Sequence, residues 1–312
     1  EKRHWRRYIY LWINYALFEE LQAQDVQRTR EVYKASLELL KPLPFTFGKL
    51  WLMWAQFEIR QKDVTAARKI LGRAIGTRPK ENIFKGYIEL ELQLGEIDRA
   101  RKIYEKYLEA MPYNCNAWIS FATLEHRCEE LERARGIYEL AISQPELDMP
   151  ELLWKSYIDF EISEGEAQRA RELYERLLER TTHVKVWISY AQFENTAGDG
   201  IEAAIAVFRR GYEHMKQQGL KDERLMILEA WYAAEKEAGT STLAEVEAKM
   251  PQKIKMRRVV TSETGEDLGM EEYYDYVFPD DEKKVGGLKI LEMARKWKAQ
   301  EGESSSKRPR ND

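Results

Sequence analysis

Trp12-Ile-Asn-Tyr15-Ala-Leu-Phe18-Glu19 and Trp51-Leu-Met-Trp54-Ala-Gln-Phe57-Glu58 are one octet written twice: aromatic-x-x-aromatic-Ala-x-Phe-Glu. It returns at Phe84/Tyr87/Leu90/Glu91, Trp118/Phe121/Leu124/Glu125, Trp154/Tyr157/Phe160/Glu161 and Trp187/Tyr190/Phe193/Glu194. A degenerate copy follows at Leu228/Trp231/Ala234/Glu235. First positions at 12, 51, 84, 118, 154, 187 and 228 give a period of about 34, the length of a helix-turn-helix repeat.

Each octet leads to a second signature, Arg-Ala-Arg-x-Ile-Tyr-Glu, clearest at Arg99–Glu105, Arg133–Glu139 and Arg169–Glu175. Looser copies start at Arg28, Ala66 and Ala203. Its central residue is Arg30, Arg68, Arg101, Arg135 or Arg171 in the first five copies and Ile205 in the sixth. The distance from the octet fits two helices of about four turns and a short loop. Gly95, Gly165 and Gly198-Asp-Gly200 punctuate the loops, and Pro79, Pro112 and Pro145 follow the second helices. The expectation is an all-α superhelix: six clear hairpins and a degenerate seventh over 1–250.

At 100° per residue, octet positions 1, 4, 5 and 8 share one helix face, so Glu stands in the apolar stripe beside Trp, Tyr and Ala. A buried carboxylate costs several kcal/mol unless it is paired. The second-helix arginines border the opposing stripe, so Glu19, Glu58, Glu91, Glu125 and Glu161 are expected to pair with an Arg of the same or an adjacent hairpin. Glu125 with Arg135 is one such pair. Glu194 faces a hairpin without its arginine, which predicts another donor or a weak junction. Recurrence every 34 residues marks these acids as architecture, because catalysis needs one unlike cluster. The aromatics read as core.

The 312 residues carry 50 basic and 54 acidic side chains mixed along the sequence, a formal net charge of −4, so attraction to phosphate can only be local. Cys115 and Cys128 form no C-x-x-C pair and have no zinc-type spacing, which predicts reduced thiols without a metal site. There is no catalytic constellation and no cofactor motif. No apolar run approaches the ~20 residues that span a bilayer, so an intracellular protein without membrane contact is expected. The opening Glu1-Lys2-Arg3-His4-Trp5 lacks an initiator Met and enters helical pattern at once, which predicts a piece of a longer chain.

After Pro251 the pattern changes. Lys253, Lys255, Arg257 and Arg258 form a basic cluster, and 251–270 reads as a basic and polar linker. The cluster has three readings: a solvated charge run, a nuclear-import signal, or a local RNA-phosphate contact. Tyr273, Tyr274, Tyr276 and Phe278 make an acidic-aromatic segment too apolar to stay free. With a final helix over Leu288–Ala299 carrying Trp297, the segment forms either a cap or a partner-docking arm over 271–300. Residues 301–312 read as a disordered tail.

The octet and the Arg-x-Arg-x-x-Tyr signature resemble the HAT (half-a-tetratricopeptide) family of RNA-processing scaffolds. Leu147–Glu161 and Glu271-Glu-Tyr-Tyr-Asp-Tyr-Val-Phe-Pro279 are similar to the carboxy-terminal half of the family's crooked-neck-like splicing members. That resemblance implies a nuclear, non-enzymatic subunit of the Prp-nineteen-associated complex. Its implied partners are a Myb-related subunit, a second HAT scaffold and spliceosomal RNA-protein parts; self-association is a further possibility. HAT scaffolds of 3′-end or ribosomal-RNA processing are the alternative. An enzyme-class rival, the helical subunit of a protein prenyltransferase, places His-Arg or Arg-Arg after the Trp of its repeats, where the first-position Trp of this chain's octets is followed by Ile, Leu or Lys.

Overall fold

The computed structural model describes residues 2–43, 45–239, 242–261 and 267–282, with residues 2, 257–261, 267–271, 273 and 282 as backbone only. The helix over 288–299 with Trp297, and the tail 301–312, lie outside the described residues.

The chain forms two compact units, 1–157 and 158–312. The first holds α1 (Lys2–Phe18), a π-helical turn (Glu19–Ala23), α2 (Val26–Leu40), α3 (Gly48–Arg60), α4 (Val64–Thr77), α5 (Glu81–Gln93), α6 (Ile97–Ala110), α7 (Cys115–Arg127) and α8 (Leu131–Ile142). The boundary falls within α9 (Pro150–Ser163). Within the first unit, α1 packs on α2, α3 on α4, α5 on α6 and α7 on α8, and each pair packs on the next. This is the stack of helical hairpins that the octet period predicts.

The second unit holds α10 (Ala167–Arg180), α11 (Val184–Thr196), α12 (Ile201–Gln218), α13 (Lys221–Ala238) and α14 (Leu243–Lys249). It ends in strands β1 (Gln252–Thr261) and β2 (Asp267–Val277) and a turn of helix, α15 (Pro279–Glu282). β1 and β2 pair antiparallel, Lys253 opposite Tyr276 and Lys255 opposite Tyr274. The linker expected over 251–270 is therefore corrected at 252–261 and 267–270, which are strands; 262–266 lie outside the described residues. The alternation Lys253-Ile-Lys-Met-Arg257 is a two-residue period, and the Tyr-rich segment supplies the matching strand.

Local chemistry places the hairpin loops. In the second to fifth hairpins the residue four beyond the octet Glu adopts left-handed backbone: φ is 63° at Lys62, 73° at Gly95, 63° at Glu129 and 76° at Gly165. The next residue's N–H then returns to the octet Glu carbonyl, as Asp63 to Glu58 at 2.8 Å and Glu130 to Glu125 at 3.0 Å. In the first hairpin the π-helical turn inserts one residue, so the left-handed position moves to Gln24, φ 55°. Asp25, Asp63 and Asn114 cap the next helices by accepting the N–H of Arg28, Ala66 and Ala117.

Candidate functional site: hairpin seams and ribbon

The octet acids are buried where the stripe predicts: Glu58, Glu91, Glu125, Glu161 and Glu194 are at most 3% exposed. Four of them show how burial is offset. Arg30 donates to Glu58 from Nη2 at 2.7 Å, and Arg68 Nε and Nη2 lie 2.9 and 2.7 Å from the two oxygens of Glu91. Arg101 makes the same fork to Glu125 at 2.8 and 2.7 Å, and Arg171 to Glu194 at 2.8 and 3.0 Å. Every one of these arginines comes from the preceding hairpin. Two parallel N–H···O⁻ bonds fix direction as well as charge, so each fork sets the register of one hairpin on the next. The carboxylates' hydrogen bonds raise the pKa of all four guanidinium groups further above an already high value.

This corrects two expectations. Glu125 is held by Arg101, with Arg133 Nε at 3.5 Å, and Arg135 instead bonds Glu132 at 2.7 Å. Glu194 has a full partner in Arg171, because the arginine is donated forward along the chain. The substitution to Ile205 therefore bears on the following octet, where Glu235 accepts the Trp231 indole N–H at 2.6 Å. Glu19, the first octet acid, is only half-buried and carries no ion pair among the described residues; its neighbour Glu20 takes Arg60 at 2.6 Å.

A second contact repeats along the hairpins. The aromatic three residues beyond the arginine position stacks on octet position 4 of the next hairpin: Tyr33 on Trp54, Tyr104 on Phe121, Tyr138 on Tyr157, Tyr174 on Tyr190 and Phe208 on Trp231. Interplanar angles are 11° or less, with centroids 4.7 to 6.3 Å apart. The aromatics at 51, 84, 118, 154 and 187 are buried, and Tyr87 is half-buried. None of these rings is free to receive a ligand. Burial pushes the Tyr33 and Tyr190 hydroxyls up to about 12, so they stay protonated.

The ribbon is tied to the second unit at its foot. Phe278 is fully buried under the Arg224 guanidinium, 3.7 Å from the ring centroid. Arg224 also reaches Asp281 at 2.8 Å and the Tyr212 oxygen at 2.9 Å. Tyr212 and Lys216 both donate to Asp280 at 3.1 Å, and Lys221 reaches Asp275 at 2.6 Å. Burial raises the Asp280 pKa, but the Lys216 and Tyr212 hydrogen bonds outweigh it, so Asp280 lies below its ordinary value. Lys221 lowers Asp275. Tyr212 and Arg224 carry no sequence signal that marks them as the ribbon's dock. Lys253 and Lys255 are exposed on β1, with Tyr274 exposed and Tyr276 half-buried opposite them. The side chains of Arg257, Arg258 and Tyr273 are not among those described.

Among the described residues no group of His, Cys, Asp or Glu is arranged to hold a metal, and no helix is long and apolar enough to cross a membrane. Both cysteines are free thiols, and burial pushes Cys115 up to about 11.

Three family models match: the Syf1/CNRKL1 pre-mRNA-splicing factor N-terminal HAT repeat over residues 2–113, the PRP39 N-terminal HAT repeat over 80–186, and the PRP39 C-terminal HAT repeat over 144–262. Crooked neck-like protein 1 of Mus musculus is 57% identical over 97% of this chain and 44% of its own length. Pre-mRNA-splicing factor CLF1 of Paracoccidioides brasiliensis is 51% identical over 98% of this chain and 47% of its own. Protein crooked neck of Drosophila melanogaster is 50% identical over 96% and 44%. The chain thus spans less than half the length of these relatives.

Proposed function

Because the chain belongs to the HAT-repeat family, with crooked-neck pre-mRNA-splicing factors as its relatives, we propose that it is a non-enzymatic scaffold of nuclear pre-mRNA splicing. Its task is to hold spliceosomal proteins in fixed positions. The observation that carries this reading is the commitment of the buried acids: each guanidinium fork uses a carboxylate to set hairpin register. A carboxylate held by two charge-assisted bonds is a poor general base, and a stack built this way presents rigid outer helix faces to other chains. The partners that fit are subunits of the Prp-nineteen-associated complex, among them a Myb-related subunit and a second HAT scaffold.

Capture from nuclear extract on this chain, followed by crosslink mapping, tests the proposal. The expected result is recovery of splicing subunits, with crosslinks on exposed hairpin residues. Recovery of 3′-end or ribosomal-RNA processing factors alone would move the chain to another machine.

A further inference from the structure

The ribbon has a face that neither its fold nor its docking explains. Side chains of directly paired residues share a face, so Lys253 and Tyr276, and Lys255 and Tyr274, stand together on one side. Within that set the Tyr274 ring is 61% exposed, and Lys253 Nζ lies 4.5 Å from its centroid. Lys255 is salt-bridged to Glu272 and remains about half exposed. The two lysines are separated by about 7 Å along the strand. The anchoring is done elsewhere, by Phe278, Asp275, Asp280 and Asp281 against α12 and α13.

A two-stranded surface that sets ammonium groups beside tyrosine rings, with Glu272 on the same face holding Lys255, has two capacities. The cations neutralise phosphates, and an exposed ring offers a stacking surface to a base. An acidic peptide would need the lysines alone and would leave the ring in water. We propose that the Lys253–Tyr274–Lys255–Tyr276 face of the ribbon binds single-stranded RNA without strong sequence preference. The seam aromatics cannot do this, because each is packed against a neighbouring ring or helix. The ribbon presents the one aromatic-cation face whose tyrosine is more than half exposed among the described residues.

Fluorescence anisotropy with a labelled oligouridine of about twelve nucleotides, titrated with the whole chain at several salt concentrations, tests this. Changing Lys253 and Lys255 together to Ala should weaken binding and flatten the log–log salt slope by about 1.4. Tyr274→Ala should weaken binding roughly 5- to 150-fold and leave the slope unchanged, and Tyr274→Phe should restore it. The proposal is overturned if the unaltered chain binds no oligouridine at low salt, or if these variants bind as it does. It also falls if Tyr274→Phe is as weak as Tyr274→Ala while both melt like the parent, since the ring would then not be stacking. A labelled polyglutamate peptide that binds equally tightly and displaces the RNA would reassign the face to acidic peptides.

Discussion

The first and second octets are nearly the same sequence in different surroundings. Phe18 is 55% exposed where Phe57 is fully buried, and Tyr15 is 37% exposed where Trp54 is 6% exposed. Glu19 has no ion partner among the described residues, whereas Glu58 is gripped by Arg30. What separates them is α2: its Arg30 and Tyr33 cover the second octet, and no described helix does the same for the first. The octet is half of an interface. Its apolar and acidic positions are completed by the second helix of the preceding hairpin laid over them.

The largest difference is expected at position 7. Phe57→Ala should destabilise the chain by about 3–5 kcal/mol, because a filled core site becomes a cavity, while Phe18→Ala should cost under about 1 kcal/mol. Urea denaturation of the two variants makes the comparison; equal losses would show that the first octet is covered after all. The arginines come next. Arg30→Met strands Glu58 in the seam and should cost about 3 kcal/mol, whereas Arg28→Met, which removes solvent-exposed contacts to Tyr15 and Glu31, should leave the denaturation midpoint nearly unchanged.

A smaller effect of opposite sign is expected in the loops. Gly95 and Gly165 occupy the left-handed position without strain, whereas Lys62 and Glu129 carry a Cβ there. Glu129→Gly should raise stability by up to about 1 kcal/mol, read from the thermal midpoint. A loss would mean that the Glu129 side chain contributes more than the strain costs.

How far the sequence revealed this architecture depends on the length scale of the signal. The hairpins were legible because the octet and the Arg-rich signature recur in phase, and burial of the Glu followed from its place on the helical wheel. The direction of pairing was not legible: a wheel shows that Arg101 and Arg135 both border a seam, but not which seam Glu125 faces. Choosing between them needs the packing of one hairpin on the next. The ribbon was missed for a different reason. Lys253-Ile-Lys-Met-Arg reads equally as a charge run, and only its antiparallel partner turns the alternation into two faces. Its foot depends on Tyr212 and Arg224, far away in sequence and unmarked by any motif.

The smallest predicted effect concerns that foot. Asp275 and Asp280 are held below their ordinary carboxyl range, so their contribution is complete above the unfolded value of about 3.9 and is lost as pH falls through the depressed folded values. Ribbon amide signals should be unchanged down to about pH 4 and shift below it. Signals that stay fixed below that pH would mean that the foot's acids do not hold the ribbon.

The central claim is that the buried Glu58, Glu91, Glu125 and Glu194 are each paired with the arginine of the preceding hairpin. A double-mutant cycle on Glu125→Gln and Arg101→Met, with Glu125→Gln and Arg135→Met as the control, tests it in one set of denaturation curves. The forward pairing predicts a coupling of more than about 1 kcal/mol for Arg101 and additivity within about 0.5 kcal/mol for Arg135. Additivity with Arg101, or strong coupling with Arg135 alone, would contradict it.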